Sequence, residues 1–292
     1  MKILIDNYST PFDKSTQSLS FSKLLSNQDE HTCLVNDFSK NIFDLFDEYT
    51  PDIYITSINT ITTHSLQYIV ESRKEIQLLI NVDNSKYAYM KQAVEILKEN
   101  KIKAIFFGEN INGCLAREKT IKIIGALDEF LDVKKIDFSN NINYLVLCSN
   151  VEQIEKEMGD ISKKQNITFH VAAQGVKADF TNDIQLIKSI AHNYDSIIFS
   201  DLSPCLSQCF FECLGLSRSI SAVSHESENI NTTISKIMKK DLHICHDDLI
   251  TAINNPTLIT DDVKQTVRDK HTYSSRLKTI LSQTKGGIVH HA

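Results

Sequence analysis

The stretch INYLVLCS, residues 142–149, decides how the chain divides. It is an apolar run that leads into a helical pattern, VEQIEKEMGDISKK (151–164), and it opens a second series of such pairs. The first series opens in the same way, with KILID at 2–6. Short continuous apolar runs alternating with helices are the pattern of parallel strands covered on both faces.

Working outward, the first series predicts strands at 2–6, 31–35, 52–57, 76–83 and 103–109. Helices are expected between them at 15–27, 41–49, 63–72 and 85–100. The second series predicts strands at 142–149, 167–173, 196–200, 219–224 and 242–245, with helices at 151–164, 182–193, 206–216 and 229–240. The polar stretch DEFLDVKKIDFSNN (128–141) carries few strand signals. The expected fold class is therefore α/β, with two Rossmann-like lobes at 1–125 and 142–292 joined by an interdomain linker at 126–141. Ligands of such lobes bind at the carboxyl ends of the strands, facing a cleft.

Composition narrows the function classes. The chain has 292 residues, 41% hydrophobic and 23% charged, which suits one large or two medium domains. With 8 Gly and 4 Pro, long disordered linkers are not expected. No apolar run reaches the roughly 18–20 residues of a membrane span, and MKILIDNYS reads as a first strand rather than a signal peptide. Seven Cys without a CxxC pair point to reduced thiols and a cytoplasmic setting. Cys205, Cys209 and Cys213 recur every fourth residue on one helix face, read as packed thiols rather than a metal site. The net charge of −6 gives no global attraction to nucleic acid or anionic membrane. Residues 86–135 nevertheless hold ten Lys or Arg against seven Asp or Glu, read as a solvated helix surface or as a basic binding face.

One charge is out of place. Glu212 sits in FFECLGL (210–216) among Phe, Cys and Leu. Burying an unpaired carboxylate costs several kcal/mol, so Glu212 needs an explanation. It reads either as an acid near a helix start, favoured by the helix dipole, or as a carboxylate that grips a polyol or a cation. Asp83, in INVDNSKY (80–87), ends an apolar strand; it reads as a turn residue or as a general base. Asp6, at the end of the first strand, is a weaker competitor. His170 reads as a packed strand residue, and His225 as a loop residue within reach of a phosphate.

The segments ISAVSHESENINTTI (220–234), DLHICHDDLITAINN (241–255) and VRDKHTYSSRLKTIL (267–281) come in an order that resembles the C-terminal lobe of GT-B glycosyltransferases. CFFECLG (209–215), which precedes them, and HDDLITAI (246–253) and HTYSSRL (271–277) within them are similar to segments of the spore-coat-type (CgeB-like) group. They also resemble the T-even phage glucosyltransferases that act on hydroxymethylcytosine in DNA.

The resemblance implies an inverting hexosyltransferase that moves a sugar from a nucleoside diphosphate sugar, of UDP-glucose type, to a hydroxyl. Asp83 matches the family's catalytic Asp. Glu212 would accept two hydrogen bonds from the ribose diol, and Ser15, Thr16 and Gln17 would contact the donor. Ser203, Ser207 and Gln208 would add neutral donors. The chain departs from the family in lacking an Arg in CSNVEQIEKE (148–157), and Cys209 stands where an Arg commonly precedes the aromatic-Glu pair. Lys177, Arg218, Lys14 or a divalent metal such as Mg2+ or Mn2+ would then answer the diphosphate charge, although no metal-ligand set stands out.

The acceptor the resemblance favours is hydroxymethylated or already glucosylated cytosine in phage DNA, in the host cytoplasm. A protein or polysaccharide acceptor, a non-catalytic nucleotide-sugar-binding relative, and an α/β protein alike in fold only are the competing readings.

Overall fold

The computed structural model describes the chain apart from residues 9–15, 29–30, 62, 74, 84–86, 109–114, 116–117, 124–125, 139–140, 149–157, 160, 164–165, 173–183, 201–209 and 285–292. It forms two compact units, one of Met1–Ile124 with Tyr273–Ala292 and one of Gly125–Thr272.

The first unit is built on a parallel sheet of β1 (Lys2–Asp6), β2 (Thr32–Asn36), β3 (Ile53–Ser57), β4 (Gln77–Asn81), β5 (Ala104–Gly108) and β6 (Thr120–Lys122). Their order is β2-β1-β3-β4-β5-β6, every pair parallel. β3 is buried along its whole length, and β1, β4 and β5 are buried except at their first residue. This is why they read as unbroken apolar runs. The helices are α1 (Thr16–Ser26), α2 (Ile42–Tyr49), α3 (Thr63–Ser72) and α4 (Tyr87–Glu99). One core cluster joins Leu4, Tyr54, Leu78, Ile80 and Phe106 of the strands to Phe46, Leu66, Ile69, Met90 and Leu97 of the helices. α2 starts where Asn41 accepts from the Phe43 amide and ends at Thr50 in the left-handed region, just before Pro51.

The second unit holds β7 (Ile142–Leu147), β8 (Ile167–Ala172), β9 (Ser196–Phe199), β10 (Ser219–Val223) and β11 (Cys245–His246), ordered β11-β10-β9-β7-β8. Numbered from its own first strand, this sheet runs 2-1-3-4-5, the same order as the first. The repeated opening pattern of the sequence thus reflects a repeated topology. A short β12 (Thr257–Leu258), not anticipated from the sequence, pairs antiparallel with β10. The described helices are α5 (Ile184–Ile190), α6 (Phe210–Leu216), α7 (Ser227–Met238), α8 (Leu249–Asn254) and α9 (Asp261–Lys270). β11 is shorter than the expected strand at 242–245 and starts later. Asn231 of α7 takes the amides of Ile244 and Cys245 on its Oδ1 and donates to the Cys245 carbonyl, so a side chain satisfies backbone ahead of the ladder.

The expected second lobe of 142–292 is divided differently. Helix α10 (Tyr273–Leu281) belongs to the first unit, where the Tyr273 ring meets Phe21 of α1 edge-on at 6.0 Å. Lys119 Nζ donates to the Gln283 carbonyl at 2.7 Å and ties down the residues after it. Residues 126–138, expected as interdomain passage, group with the second unit. There the Leu127 amide donates to the His271 carbonyl and the Lys134 amide to that of Ser189.

The out-of-place charge has a partner. Glu212 is fully buried in α6, and its Oε1 lies 2.9 Å from Nζ of Lys188 on α5, also fully buried. This corrects the reading of Glu212 as a ribose-binding carboxylate: its side chain faces the interior and a lysine, with no exposed edge for a diol. Lys188 stands beside Ile187, Ile190 and Ala191, all buried. Cys213, on the same helix, is a buried free thiol, while Cys205 and Cys209 lie outside the described residues. Removing one member of a buried pair strands the other charge at a cost of about 3–5 kcal/mol, whereas replacing both with apolar groups is often neutral. Lys188→Met should therefore lose stability on that scale in urea unfolding, and Lys188→Met with Glu212→Leu should regain most of it.

Candidate functional site

In the first unit the polar side chains gather at one edge of the sheet, where the strands end: Asp6, Asn36, Ser57 and Asn81 close β1 to β4, and Gly108 closes β5. Ligands of parallel sheets bind at this edge, beside the point where the strand order reverses. Here that point lies between β1 and β3.

Asp83 stands just past the end of β4, half-buried. Side chains two apart on a strand share a face, so Asp83 lies on the face of Asn81. Leu78, Ile80 and Val82 alternate with them and enter the core cluster. Asn81 Nδ2 donates to Asp83 Oδ2 at 3.0 Å, and the Asp83 amide donates back to Asn81 Oδ1 at 3.1 Å. Asn59 Nδ2 donates to the Asp83 carbonyl at 3.2 Å. The Asn81 amide also donates to Gln17 Oε1 at 3.2 Å, and that oxygen accepts the Tyr8 hydroxyl at 2.8 Å. Gln17, in the first turn of α1, and Asp83 are therefore brought into one hydrogen-bonded cluster.

Gly108 completes the cluster. Its φ of +157° is one that side-chain-bearing residues rarely adopt, and a Cβ there would stand 2.5 Å from Asp83 Oδ1. Asn81, Tyr8, Asn59 and Gly108 are site residues that the sequence reading missed. Two signals were available: the N-x-D spacing at the end of an apolar strand, and the glycine that ends KAIFFG.

Asp6, the competing carboxylate, is closed in a network of its own. It is 1% exposed. Its Oδ2 accepts the Tyr54 hydroxyl and, at 2.5 Å, the Thr56 hydroxyl, and its Oδ1 accepts Asn36 Nδ2 at 2.7 Å. Burial raises its pKa above the usual carboxylate value, against the lowering effect of those three donors.

The remaining expected site residues are not gathered in the described structure. Arg218 precedes β10, at the amino edge of its sheet, where its Nη1 lies 3.1 Å from Oδ1 of Asp195. It is mostly exposed and stands away from the carboxyl edge, which corrects its reading as a diphosphate cation. Ser15, Ser207, Gln208 and Lys177, with Lys14 and Ser203, lie outside the described residues, as does the side chain of Thr16. So do residues 149–157, 173–183 and 201–209, which follow β7, β8 and β9. His170 packs against Phe138 and Tyr194, with ring centroids 5.2 and 5.6 Å away. His225 lies in the turn after β10. Among the described residues no group of three or more His, Cys, Asp or Glu is placed to hold a metal ion. None of the described helices is long and apolar enough to cross a membrane.

No protein-family model matches the chain, and no curated protein matches it by sequence. Among solved structures, it is similar to the Streptomyces sp. SF2575 glycosyltransferase SsfS6, complexed with thymidine diphosphate. The TM-score is 0.48 and the identity 10%, over 96% of this chain and 99% of that one. It is also similar to the NAD-complexed D-isomer specific 2-hydroxyacid dehydrogenase of Lactobacillus delbrueckii ssp. bulgaricus, with TM-score 0.28 and 9% identity over 99% and 100% of the two chains. A periplasmic sugar-binding protein of Pseudomonas fluorescens gives TM-score 0.28 and 9% identity over 80% and 72%. With every one of these TM-scores below one half, the likenesses fix neither a family nor an activity.

Two outcomes follow from the site's geometry. Gly108→Ala should push the Asp83 carboxylate aside and break its bond to Asn81, seen as a shift of the Asn81 side-chain amide resonances, with about 1–3 kcal/mol of destabilisation from overpacking. The folded protein holds the Asp6 proton more tightly than the unfolded chain does. The stability this contributes is fully present below the unfolded value of about 4 and is lost as pH rises through the raised folded value. Urea unfolding across that window should show the decline in the native chain and its removal in Asp6→Asn.

Proposed function

We propose that the chain is a glycosyltransferase that moves a sugar from a nucleoside diphosphate sugar to a hydroxyl acceptor, with Asp83 as the general base. One observation carries this reading: a half-buried carboxylate is held by Asn81 at the carboxyl edge of a parallel sheet, near its switch point. The order of segments in the second half of the chain, which resembles GT-B enzymes, supports the class of reaction.

In this reaction the acceptor oxygen attacks the anomeric carbon and its proton passes to Asp83. The bond from that carbon to the diphosphate oxygen breaks, and its electron pair leaves with the nucleoside diphosphate. A single displacement inverts the sugar carbon. Asn81 keeps the carboxylate aimed, and Gly108 leaves room for it.

The donor we favour is UDP-glucose, and the acceptor a hydroxymethylated or glucosylated cytosine in DNA. Both rest on the resemblance alone. A protein or polysaccharide hydroxyl is the alternative acceptor. A non-catalytic nucleotide-sugar-binding relative is a second reading, favoured by the placement of Arg218 against Asp195 rather than toward a diphosphate.

The test is a thermal-shift panel of UDP, GDP, UDP-glucose and related donors, each with and without Mg2+ or Mn2+. A ligand at about 100 times its Kd should stabilise the protein by roughly 2.7 kcal/mol. Asp83→Asn should keep that shift and lose transfer by roughly 100- to 10,000-fold. Loss of both, or of neither, would remove Asp83 from the base role.

A further inference from the structure

The Asn81 side chain is 1% exposed, and its hydrogen bonds set the orientation of its neighbours. Its two amide protons go to Gln17 Oε1 and Asp83 Oδ2, and its Oδ1 takes the Asp83 amide. Gln17 Oε1 thus receives two donors, from Asn81 and from Tyr8. Reversing the Gln17 amide would set its NH2 against the Asn81 NH2, which the Asp83 amide on Asn81 Oδ1 holds in place, whereas the Tyr8 hydroxyl can accept as well as donate. Gln17 therefore keeps its oxygen inward and presents Nε2, a two-proton donor, on its other side. Two acceptors that share one amide nitrogen stand about 5 Å apart, so the Gln17 amide group and the Asp83 carboxylate are close neighbours, both half-buried.

A neutral N–H donor next to a carboxylate acceptor matches a group that both accepts and donates. An alcohol oxygen does this. A phosphate or carboxylate ligand would meet the Asp83 charge, and an ammonium would meet the Gln17 N–H. We infer that Gln17 and Asp83 grip one hydroxyl of a neutral polyol, with Gln17 Nε2 donating to its oxygen and Asp83 accepting its proton. Asn81 is the positioning residue for both. The inference rests on the transfer reading for identifying this group as the acceptor hydroxyl, while the grip itself does not depend on it. It moves Gln17 from the donor sugar, where the resemblance put it, to the acceptor. The hydroxyl oxygen then has one lone pair on Gln17, its proton on Asp83, and a second lone pair left for the anomeric carbon.

The experiment follows the side-chain amide resonances of Gln17 and Asn81 in the full chain. Methyl β-D-glucopyranoside is titrated as the neutral polyol, and UDP separately. The glucoside should move the Gln17 amide pair saturably, and UDP should leave it in place. Asp83→Asn and Gln17→Leu should each weaken glucoside binding roughly tenfold or more, as expected for a hydrogen bond involving a charged or oriented partner. Asn81→Ala should move the Gln17 amide pair, whose oxygen loses one of its two donors, with backbone shifts confined to residue 81, Asp83 and their neighbours. An unmoved Gln17 pair would overturn the positioning role of Asn81. If UDP moves Gln17 and the glucoside does not, the grip is overturned while the transfer reading survives. If the glucoside moves Gln17 and no nucleotide stabilises the protein, the grip stands and the transfer reading falls. If neither probe moves Gln17, the grip is overturned.

Discussion

A parallel strand buried on both faces has few places to put a polar side chain except where it runs out, because each buried polar group must find a partner. In the first unit β1, β3 and β4 follow this constraint, and the more exposed β2 and the buried β5 end at the same edge. Lys-Ile-Leu-Ile ends in Asp6, Thr-Cys-Leu-Val in Asn36, Ile-Tyr-Ile-Thr in Ser57, Gln-Leu-Leu-Ile in Asn81, and Ala-Ile-Phe-Phe in Gly108. The polar groups are thus delivered to one edge by the same requirement that makes the core. Once there they satisfy one another, in two clusters: a closed one around Asp6 and a more open one around Asp83.

The contrast between the two carboxylates explains why one is structural and the other a candidate for chemistry. Asp6 has three donors on its two oxygens, from the two neighbouring strands, and almost no exposure. It fixes the ends of β1, β2 and β3 against each other at the switch point. Asp83 is half-buried past the end of β4, with Asn81 donating to its Oδ2 and Gly108 beside its Oδ1. A side chain at position 108 would occupy the space that the carboxylate uses.

Much of this was legible in the residues. The two series of apolar runs are the two sheets, and the strands fall close to where continuous hydrophobicity places them. Asp83 stood out because a carboxylate at the end of INVD interrupts such a run. Glu212 stood out for the same reason, and correctly so, yet its meaning lay elsewhere. The partner, Lys188, is 24 positions away on another helix, and no local pattern joins the two. Gln17 could be placed at the start of the first helix, but not its hydrogen bonds to Tyr8 and Asn81, which come from other elements. The return of α10 to the first unit was hidden for a related reason. Periodicity shows that Tyr273, Leu277 and Ile280 form an apolar stripe, but not which surface covers them.

That return has a consequence for how the protein is made. The chain leaves the first unit near residue 125 and comes back at 273, so the unit begun first is finished last. During synthesis the sheet of 1–124 emerges before α10 exists to cover Phe21, and the whole of 125–272 is translated in between. The intervening unit is complete in sequence as soon as its own residues have emerged. The inserted unit can therefore close as soon as its own residues have emerged, while part of α1 stays uncovered until the final helix of its unit has been made.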